Sequence, residues 1–190
     1  MKLYLIRHGE TDYNRQKLFY GKTDVSINKK GMKQAYLLKE KLVDLESATP
    51  VYTSSLKRTI ETAELIFPNH PKFHLPELDE KDFGLWEGLT ADQINQRYPV
   101  EWQRWLASPF EFTPTNAESF HDFETRILRC FKTLLQQNQD MVLVGHLGGI
   151  RTIQKFCFPK DNFWDIPLDQ DSYTEVHLTN GTFTRIVSNK

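Results

Sequence analysis

The sequence predicts an α/β fold: a three-layer α/β/α sandwich with a mostly parallel sheet and a small helical cap insertion. Residues 2–6 and 141–144 are short runs that are apolar apart from Lys2, as expected for strands that are buried on both faces. Segments with helical periodicity lie between the strand-like runs, and this alternation is typical of a parallel sheet covered by helices. Near the end of the chain, Asn180-Gly181 separates two further strand-like runs and indicates a hairpin.

The first strand leads into a polar loop and then a helix. The loop is predicted over residues 7–28. Asn28 can cap a helix over residues 29–45, because a side-chain oxygen at that position can accept from the free N–H groups of the first turn. Apolar side chains recur in this segment at intervals of three and four, which predicts one buried helix face.

A second strand and helix follow. Residues 50–52 have the character of a short strand. Ser55 or Ser54 can cap the next helix, which is predicted to extend to Ile66. Pro68 ends it, because proline is not accommodated in a helix interior.

The second half of the chain contains the predicted cap. Residues 83–118 are rich in aromatic side chains and proline, and they contain short helices at residues 90–98 and 102–106. Aromatic side chains of this kind are more typical of a core than of a substrate pocket, although both remain open. Ser119 begins a strongly amphipathic helix. The remaining predicted elements are a strand at residues 73–75, a helix at 148–156 and hairpin strands at 173–178 and 183–187.

Length and composition limit the classes of protein to be considered. The 190 residues fit one domain that spans residues 1–190 and includes the cap. With 24 basic and 25 acidic side chains the net charge is −1, so we expect no nucleic acid and no membrane as a partner. Cys130 and Cys157 lie far apart, which excludes a disulfide framework and a zinc ribbon and fits a reducing compartment. Since no apolar run is long enough for a signal peptide, we expect a cytoplasmic protein.

Each of the two most apolar strands is followed by a histidine. His8 follows the first within Arg7-His8-Gly9, and His146 follows the second within Gly145-His146-Leu147. In a parallel sheet, ligands bind beyond the carboxyl ends of the strands, so two adjacent strands would bring both imidazoles into one crevice. A single histidine at such a position is more often structural. Two at equivalent positions favour a functional site.

Cationic side chains lie where an anion could bind. Arg7 precedes His8, and Arg58 lies about one turn into the predicted second helix, whose N-terminus also attracts anions. The guanidinium fork matches the oxygen geometry of phosphate and stays charged when desolvated. An isolated Arg58 would be more typical of a solvated helix face. Asn14 is either a neutral donor to the same pocket or a loop cap.

Ordered segments along the chain resemble a known family. They are Arg7-His8-Gly9-Glu10-Thr11 with Asn14, Gly21-x-x-Asp24-x-x-Ile27, Tyr52-Thr53-Ser54-Ser55-Leu56-x-Arg58-Thr59, Leu78-Asp79-Glu80 with Phe83-Gly84-x-Trp86-Glu87-Gly88, and Val142–His146 with Ile150-Arg151. In these segments the sequence resembles the histidine phosphatase superfamily, also called phosphoglycerate-mutase-like. Within the superfamily it is most similar to small bacterial α-ribazole-phosphate and broad-specificity phosphatases.

The resemblance implies a covalent phosphohistidine mechanism that needs no metal and no cofactor. His8 would be the nucleophile, and its other ring nitrogen would donate to a fixed acceptor such as a backbone carbonyl. Arg7, Arg58 and His146 would surround the phosphoryl oxygens and neutralise their charge. Asn14 would add a donor. His146 would act best when protonated, which a nearby dianion favours.

The leaving alkoxide needs a proton, and the family pattern assigns this role to Glu80. The acidic residues that the sequence alone does not separate are Glu77, Asp79, Glu80, Asp82 and Glu87. The same carboxyl group would then take a proton from the water that hydrolyses the phosphohistidine. The resemblance also implies substrate-binding positions at Gly21 and Leu147. Leu147 stands where the family commonly has a smaller residue, and it would narrow the mouth of the pocket.

Other kinds of site are poorly supported. His70 and His74 have the spacing of metal ligands, but Pro71 lies between them, so they do not share a helix face. The sequence contains no phosphate-binding loop of the G-x-x-x-x-G-K-[ST] or G-x-G-x-x-G type. It also lacks the G-x-S-x-G turn of serine hydrolases.

The sequence therefore predicts a metal-independent phosphomonoester phosphatase. Its substrate would be a small phosphorylated metabolite, with α-ribazole 5′-phosphate as a candidate. A phosphoglycerate-mutase-type phosphotransferase is less favoured, because residues 83–118 contain Arg97 and Arg104 but no adjacent arginine pair for a second phosphate. A non-catalytic protein that binds phosphate esters is the third functional hypothesis. The closing hairpin is compatible with a monomer and with a homodimer.

Overall fold

One sheet forms the centre of the molecule in the computed structural model, which describes residues 1–170 and 172–190. Within these residues the sheet has six strands in the order β3-β2-β4-β1-β5-β6. They are β1 (Lys2–Arg7), β2 (Val51–Thr53), β3 (Lys72–His74), β4 (Met141–Gly145), β5 (Tyr173–Thr179) and β6 (Thr182–Val187). The first four are parallel to one another, whereas β5 and β6 form an antiparallel hairpin at one edge. The predicted mostly parallel sheet is confirmed.

Helices cover both faces of this sheet. The α-helices are α1 (Asp12–Arg15), α2 (Lys29–Lys41), α3 (Lys57–Ile66), α4 (Ala91–Arg97), α5 (Pro99–Ala107), α6 (Phe120–Leu135) and α7 (Leu147–Cys157). Short 3₁₀ helices occur at Pro76–Leu78, Gly84–Trp86 and Phe163–Asp165. None of the helices in the described ranges has the length and apolar character needed to span a bilayer.

The alternation of side chains along β1 explains the three layers. Leu3 and Leu5 point to one face and pack in a core that includes α6 and α7. Tyr4 and Ile6 point to the other face and pack in a second core that includes α2 and α3. Because successive strand residues face opposite sides, one continuously apolar strand serves both cores. The predicted α/β/α sandwich is confirmed, and α4 and α5 lie in the predicted cap insertion.

Several boundaries differ from the sequence prediction. Helix α2 ends at Lys41, although its periodicity continues to Leu45. Leu42 and Leu45 still pack on the core that includes α2. The spacing of apolar residues after Lys41 therefore reflects their burial and does not mean that the helix continues. The predicted polar loop contains α1, whose N-cap Thr11 forms a capping box with Asn14.

The predicted cap of α3 is wrong. Its N-cap is Leu56, which has no side chain able to accept a hydrogen bond. Ser54 Oγ instead accepts from Leu56 N over 3.2 Å, and Ser55 donates from its N and Oγ to Asp79. Hydrogen bonds of the two serines thus connect the end of β2 to the start of α3 and to Asp79. Helix α3 begins at Lys57, one residue later than a cap at Ser55 would place it.

The sheet brings the two histidine-bearing strand ends together. β1 and β4 are neighbours, and their register pairs Arg7 with Gly145. His8 N continues the ladder by donating to Gly145 O over 2.9 Å. The residues that follow β1 and β4 therefore lie side by side at the carboxyl ends of these strands.

Candidate active site

His8 and His146 face each other at this edge. Their ring centroids are 5.3 Å apart, with an angle of 62° between the ring planes. Both are buried, with 4% and 1% of their surfaces exposed. The structure thus brings together imidazoles from two distant parts of the chain, as the sequence predicted.

The tautomer of His8 is fixed by the backbone. Its Nδ1 lies 2.8 Å from Gly9 O. A carbonyl oxygen only accepts hydrogen bonds, so Nδ1 carries the proton and Nε2 keeps its lone pair. Burial, together with the positive charges of Arg58 and Arg7, holds the pKa of His8 well below its ordinary 6.5. His8 is therefore neutral and has a nucleophilic nitrogen available.

His146 is held by hydrogen bonds at both ring nitrogens. Arg58 Nε donates to its Nδ1 over 3.2 Å, so its Nε2 carries the proton and donates to Ser54 Oγ over 2.8 Å. Burial, then Arg58 and His8, hold the pKa of His146 well below 6.5. The family resemblance implies an imidazole that acts best when protonated, with a nearby dianion favouring that form. Without a bound dianion the surroundings favour the neutral form.

Arg58 is a buried cation whose partners carry no negative charge. Its Nη2 donates to Gly21 O over 2.6 Å, and its Nη1 donates to Thr23 O over 2.9 Å. The guanidinium carbon lies 4.7 Å from the centroid of the Tyr20 ring, a cation–π contact. Burial lowers the pKa of Arg58, but a guanidinium stays protonated near neutral pH. Its positive charge is therefore available to an anion.

The loop that positions Arg58 is itself held by a carboxylate. Glu87 Oε1 accepts from Gly21 N at 2.7 Å and from Lys22 N at 3.1 Å, and its Oε2 accepts from Thr23 N and Thr23 Oγ1. Gly21 packs so tightly that an added Cβ would lie 1.6 Å from Lys81 O. It does not line the cavity described below, so its contribution to binding is through Arg58.

Arg7 and Asn14 line the same cavity as the histidine pair. Arg7 Nη1 donates to Leu168 O over 3.1 Å, whereas its buried Nε has no hydrogen-bond partner among residues 1–170 and 172–190. An unpaired buried donor is costly, and a phosphoryl oxygen would satisfy it. Asn14 Oδ1 accepts from Thr11 N and from Gln170 Nε2, so Asn14 completes the capping box of α1, and it also lines the cavity.

Glu80 is separated from the other acidic candidates by its position. Its Oε1 accepts from Lys81 N and its Oε2 from Gly148 N, both over 3.0 Å. Among the five acidic residues considered from the sequence, it is the one that lines the cavity with His8 and His146 in the described part of the chain. Asp79 and Glu87 instead accept from backbone N–H groups of neighbouring loops.

Comparison with known proteins identifies the family. Residues 3–190 match the model of the histidine phosphatase superfamily (branch 1). The chain belongs to this superfamily. The predicted phosphatase class of enzyme is thereby confirmed.

Relatives of this histidine phosphatase span nearly the same length. The adenosylcobalamin/alpha-ribazole phosphatase of Escherichia coli is 29% identical over 195 residues, covering 100% of this chain and 96% of that protein. Phosphoserine phosphatase 1 of Hydrogenobacter thermophilus is 29% identical over 184 residues, covering 94% and 87%. The crystal structure of a putative alpha-ribazole-5′-P phosphatase from Escherichia coli superposes with a TM-score of 0.94 at 28% identity, covering 100% of this chain and 96% of that one.

The cavity of this histidine phosphatase is lined by the polar residues around His8 and His146 and by a set of aromatic side chains, here called the aromatic wall. Its volume is about 350 Å³. Its polar lining consists of Arg7, His8, Asn14, Lys17, Arg58, Glu80, Lys81, His146 and Arg151. The apolar lining consists of Leu18, Phe19, Tyr20, Phe83, Trp105, Pro109, Phe120, Phe123, Leu147, Phe163 and Trp164. The cavity thus has room for an apolar group attached to a phosphoryl group.

Several lining residues are absent from the sequence prediction. Tyr20, Phe163 and Trp164 come from irregular segments that carry no helix or strand periodicity. Trp86, by contrast, belongs to the aromatic cap but is 0% exposed and is a core residue. The 3₁₀ helix Phe163–Asp165 is positioned by Arg151, which donates to the carbonyls of Trp164 and Ile166.

His70 and His74, which have the spacing of metal ligands in the sequence, lie in separate surroundings. His74 Nδ1 lies 2.7 Å from Thr53 Oγ1, and His70 packs edge-on against Phe67. Over the described ranges of the chain there is no group of three or more His, Cys, Asp or Glu side chains arranged to hold a metal ion.

Proposed function

We propose that this histidine phosphatase hydrolyses a phosphomonoester through a phosphohistidine formed on His8. The observation that carries the proposal is the unprotonated Nε2 of His8, whose ring is fixed by the Nδ1–H···Gly9 O bond and lies close to the positive charges of Arg7 and Arg58. A neutral imidazole held in one tautomer beside fixed cations is suited to attack on a phosphate dianion.

The first step transfers the phosphoryl group to the protein. His8 Nε2 attacks phosphorus while the bond from phosphorus to the ester oxygen breaks, and Glu80 gives its proton to the departing oxygen. Arg7, Arg58 and His146 neutralise the charge on the three phosphoryl oxygens. The negative charge of the dianion raises the pKa of His146 and favours its protonation in the complex.

The second step releases phosphate. Glu80, now ionised, takes a proton from a water molecule, and the resulting oxygen nucleophile attacks the phosphorus. The phosphorus–nitrogen bond breaks, the electron pair returns to His8 Nε2, and both side chains regain their starting states. Arg7, Asn14, Arg58 and Leu147 contact the substrate in this scheme, and Gly21 acts through Arg58.

The proposed substrate is a small metabolite with an aromatic leaving group, with α-ribazole 5′-phosphate as the candidate. Two observations support it: the aromatic wall of the cavity, and full-length similarity to proteins named as alpha-ribazole phosphatases. Stacking and edge contacts with such rings favour a flat apolar group. We infer that residues 83–118 form a cap over this substrate within a single domain.

A phosphate-release assay with quenched-flow labelling tests the proposal. The protein is offered α-ribazole 5′-phosphate, phosphoserine and 4-nitrophenyl phosphate, and acid-labile phosphorus on the protein is measured after rapid quenching. We expect release from α-ribazole 5′-phosphate with the highest kcat/KM and label on His8. His8→Ala should lose both the label and turnover while keeping the far-ultraviolet circular dichroism of the wild type.

Three results would contradict the proposal. The first is phosphorus trapped on another side chain, and the second is near-normal turnover by His8→Ala. The third is robust isomerisation of 3-phosphoglycerate with negligible phosphate release, which would assign the chain to the mutase-type alternative. Preference for phosphoserine over α-ribazole 5′-phosphate would remove the substrate assignment and leave the mechanism standing.

A further inference from the structure

The backbone that carries Glu80 is held by one side chain from another element. Arg126, on α6, donates from Nη1 to Glu77 O over 2.9 Å and to Asp79 O over 2.7 Å. Its Nη2 donates to Glu80 O over 3.1 Å. Three carbonyls within four consecutive residues therefore converge on one guanidinium.

Arg126 is in turn oriented by Glu118. Its Nε donates to Glu118 Oε1 over 2.6 Å, and its Nη2 donates to Glu118 Oε2 over 2.9 Å. Such a two-point contact fixes the plane of the guanidinium as well as its position. Only 22% and 19% of the two side chains is exposed, so salt screens this pair less than a surface pair.

All five N–H groups of Arg126 are used by these contacts. Two point to Glu118, and the other three point to the carbonyls of Glu77, Asp79 and Glu80. No other side chain type has five donors in one rigid plane. A lysine at this position would keep the positive charge but could not hold the segment and Glu118 together.

The carboxyl group of Glu80 depends on this backbone position. Its side chain reaches the cavity and is fixed there by Gly148 N and Lys81 N. An added Cβ at Gly148 would lie 2.6 Å from Glu80 Oε1, so the carboxyl group packs directly against Gly148. A shift of the backbone at Glu80 would therefore move the proton donor away from the ester oxygen.

We propose that Arg126, oriented by Glu118, is a positioning residue for the proton donor Glu80. This inference rests on the proposed function, in which Glu80 protonates the leaving group. Neither Arg126 nor Glu118 lines the cavity around His8 in the described residues, so both act through the segment 77–80. Proton donation is effective only when the donor is within hydrogen-bond reach of the accepting oxygen.

The dependence of the rate on the leaving group distinguishes this role from a structural one. A nitrophenolate departs without being protonated, whereas a benzylic alkoxide needs a proton. The matched substrates are 4-nitrophenyl phosphate and 4-nitrobenzyl phosphate, which have nearly the same size and both carry an aromatic ring. We measure kcat/KM for each, since it reports the steps up to phosphoryl transfer.

We expect Arg126→Lys to lower kcat/KM for 4-nitrobenzyl phosphate by about 10- to 100-fold and for 4-nitrophenyl phosphate by less than about 3-fold. Glu118→Gln should show the same selective loss to a smaller extent, because the amide keeps one acceptor oxygen. Glu80→Gln should show the selective loss at its largest. Arg129→Lys, one turn further along α6, is the matched control and should leave both rates at the wild-type value.

Each outcome decides between the alternatives. Equal loss on both substrates, or no loss on either, in Arg126→Lys and Glu118→Gln would overturn the positioning role. If Arg126→Lys does not fold by circular dichroism, Glu118→Gln decides the matter alone. If Glu80→Gln itself shows no selectivity between the two leaving groups, the proposed function has failed in its proton donor, which is a separate result.

Discussion

Arg58 Nε donates to His146 Nδ1 over 3.2 Å, and this contact exists only while that nitrogen carries no proton. His8 is neutral as well, since burial and two arginines lower its pKa. The site before substrate binding is therefore a pair of neutral imidazoles next to buried cations. Substrate supplies the negative charge that this arrangement lacks.

The lowered pKa values of the imidazoles predict that acid weakens the fold. Below the ordinary histidine pKa of 6.5 the unfolded chain binds protons that buried His8 and His146 do not bind, so stability present above pH 6.5 is lost as the pH falls. Each imidazole that stays neutral contributes a slope of about 1.4 kcal/mol per pH unit. Urea unfolding at pH 7.5 and 5.5 should show this decline in the free energy of unfolding.

The variant His146→Gln isolates one of these contributions. We expect its free energy of unfolding to fall less between pH 7.5 and 5.5 than that of the wild type. His121→Gln, on the exposed side of α6, should follow the wild type. An identical pH dependence in His146→Gln and the wild type would show that His146 does not stay neutral when buried.

Glu87→Gln should weaken phosphate binding although Glu87 does not line the cavity. The amide has one acceptor oxygen, so it cannot accept from both Gly21 and Thr23, whose carbonyls hold Arg58. We expect KM and the Kd for inorganic phosphate to rise about 10-fold, since hydrogen bonds to a charged group are lost. Isothermal titration with phosphate measures the second quantity.

The matched control for Glu87 is Asp92→Asn, an exposed carboxylate in the first turn of α4. It should leave the Kd for phosphate unchanged. A Glu87→Gln protein that binds phosphate as tightly as the wild type would separate Glu87 from the orientation of Arg58.

Trp164→Ala should discriminate between aromatic and aliphatic substrates. The Trp164 side chain lines the cavity and stacks on Phe110, with centroids 5.3 Å apart. Loss of one ring contact should raise KM for 4-nitrobenzyl phosphate by about 2- to 10-fold and leave KM for glycerol phosphate unchanged. Phe73→Ala, an exposed ring beside a different groove, is the control. Equal effects on both substrates would remove Trp164 from leaving-group recognition.

Removal of metal ions should not affect turnover. In the proposed mechanism Arg7 and Arg58 supply the positive charge that a metal ion supplies in other phosphatases. Dialysis against EDTA should therefore leave kcat and KM for 4-nitrophenyl phosphate within experimental error. Loss of activity that is restored by a divalent ion would contradict this expectation.

The parts of the site that lie at strand ends could be predicted from the sequence. A strand buried on both faces is easily recognised, and the residue after it has a defined place at the edge of a parallel sheet. This logic located His8 and His146. Glu80 could be chosen only by the family pattern, because it and the four other candidate carboxylates differ in tertiary position rather than in local sequence.

The residues that hold the site in place could not be predicted from the sequence, since their positions depend on loops whose paths are set by contacts between distant parts of the chain. Glu87 was one of several candidate acids, and only the folded loop shows that both of its oxygens accept from the segment 21–23. Trp164 reaches the cavity because Arg151 holds its carbonyl. The sequence pattern overestimates the length of α2, because Leu42 and Leu45 continue to pack on the core beyond the end of the helix at Lys41.

The central position of β1 and β4 has a consequence for the motions of the molecule. The edges of the sheet are β3 and β6, so local opening at either edge breaks hydrogen bonds that are remote from the His8–His146 pair. Amide protons of β1 and β4 should exchange with deuterium last, at rates close to those of global unfolding. The geometry of the His8–His146 pair is thus tied to the most persistent part of the fold, and fraying at the periphery leaves it intact.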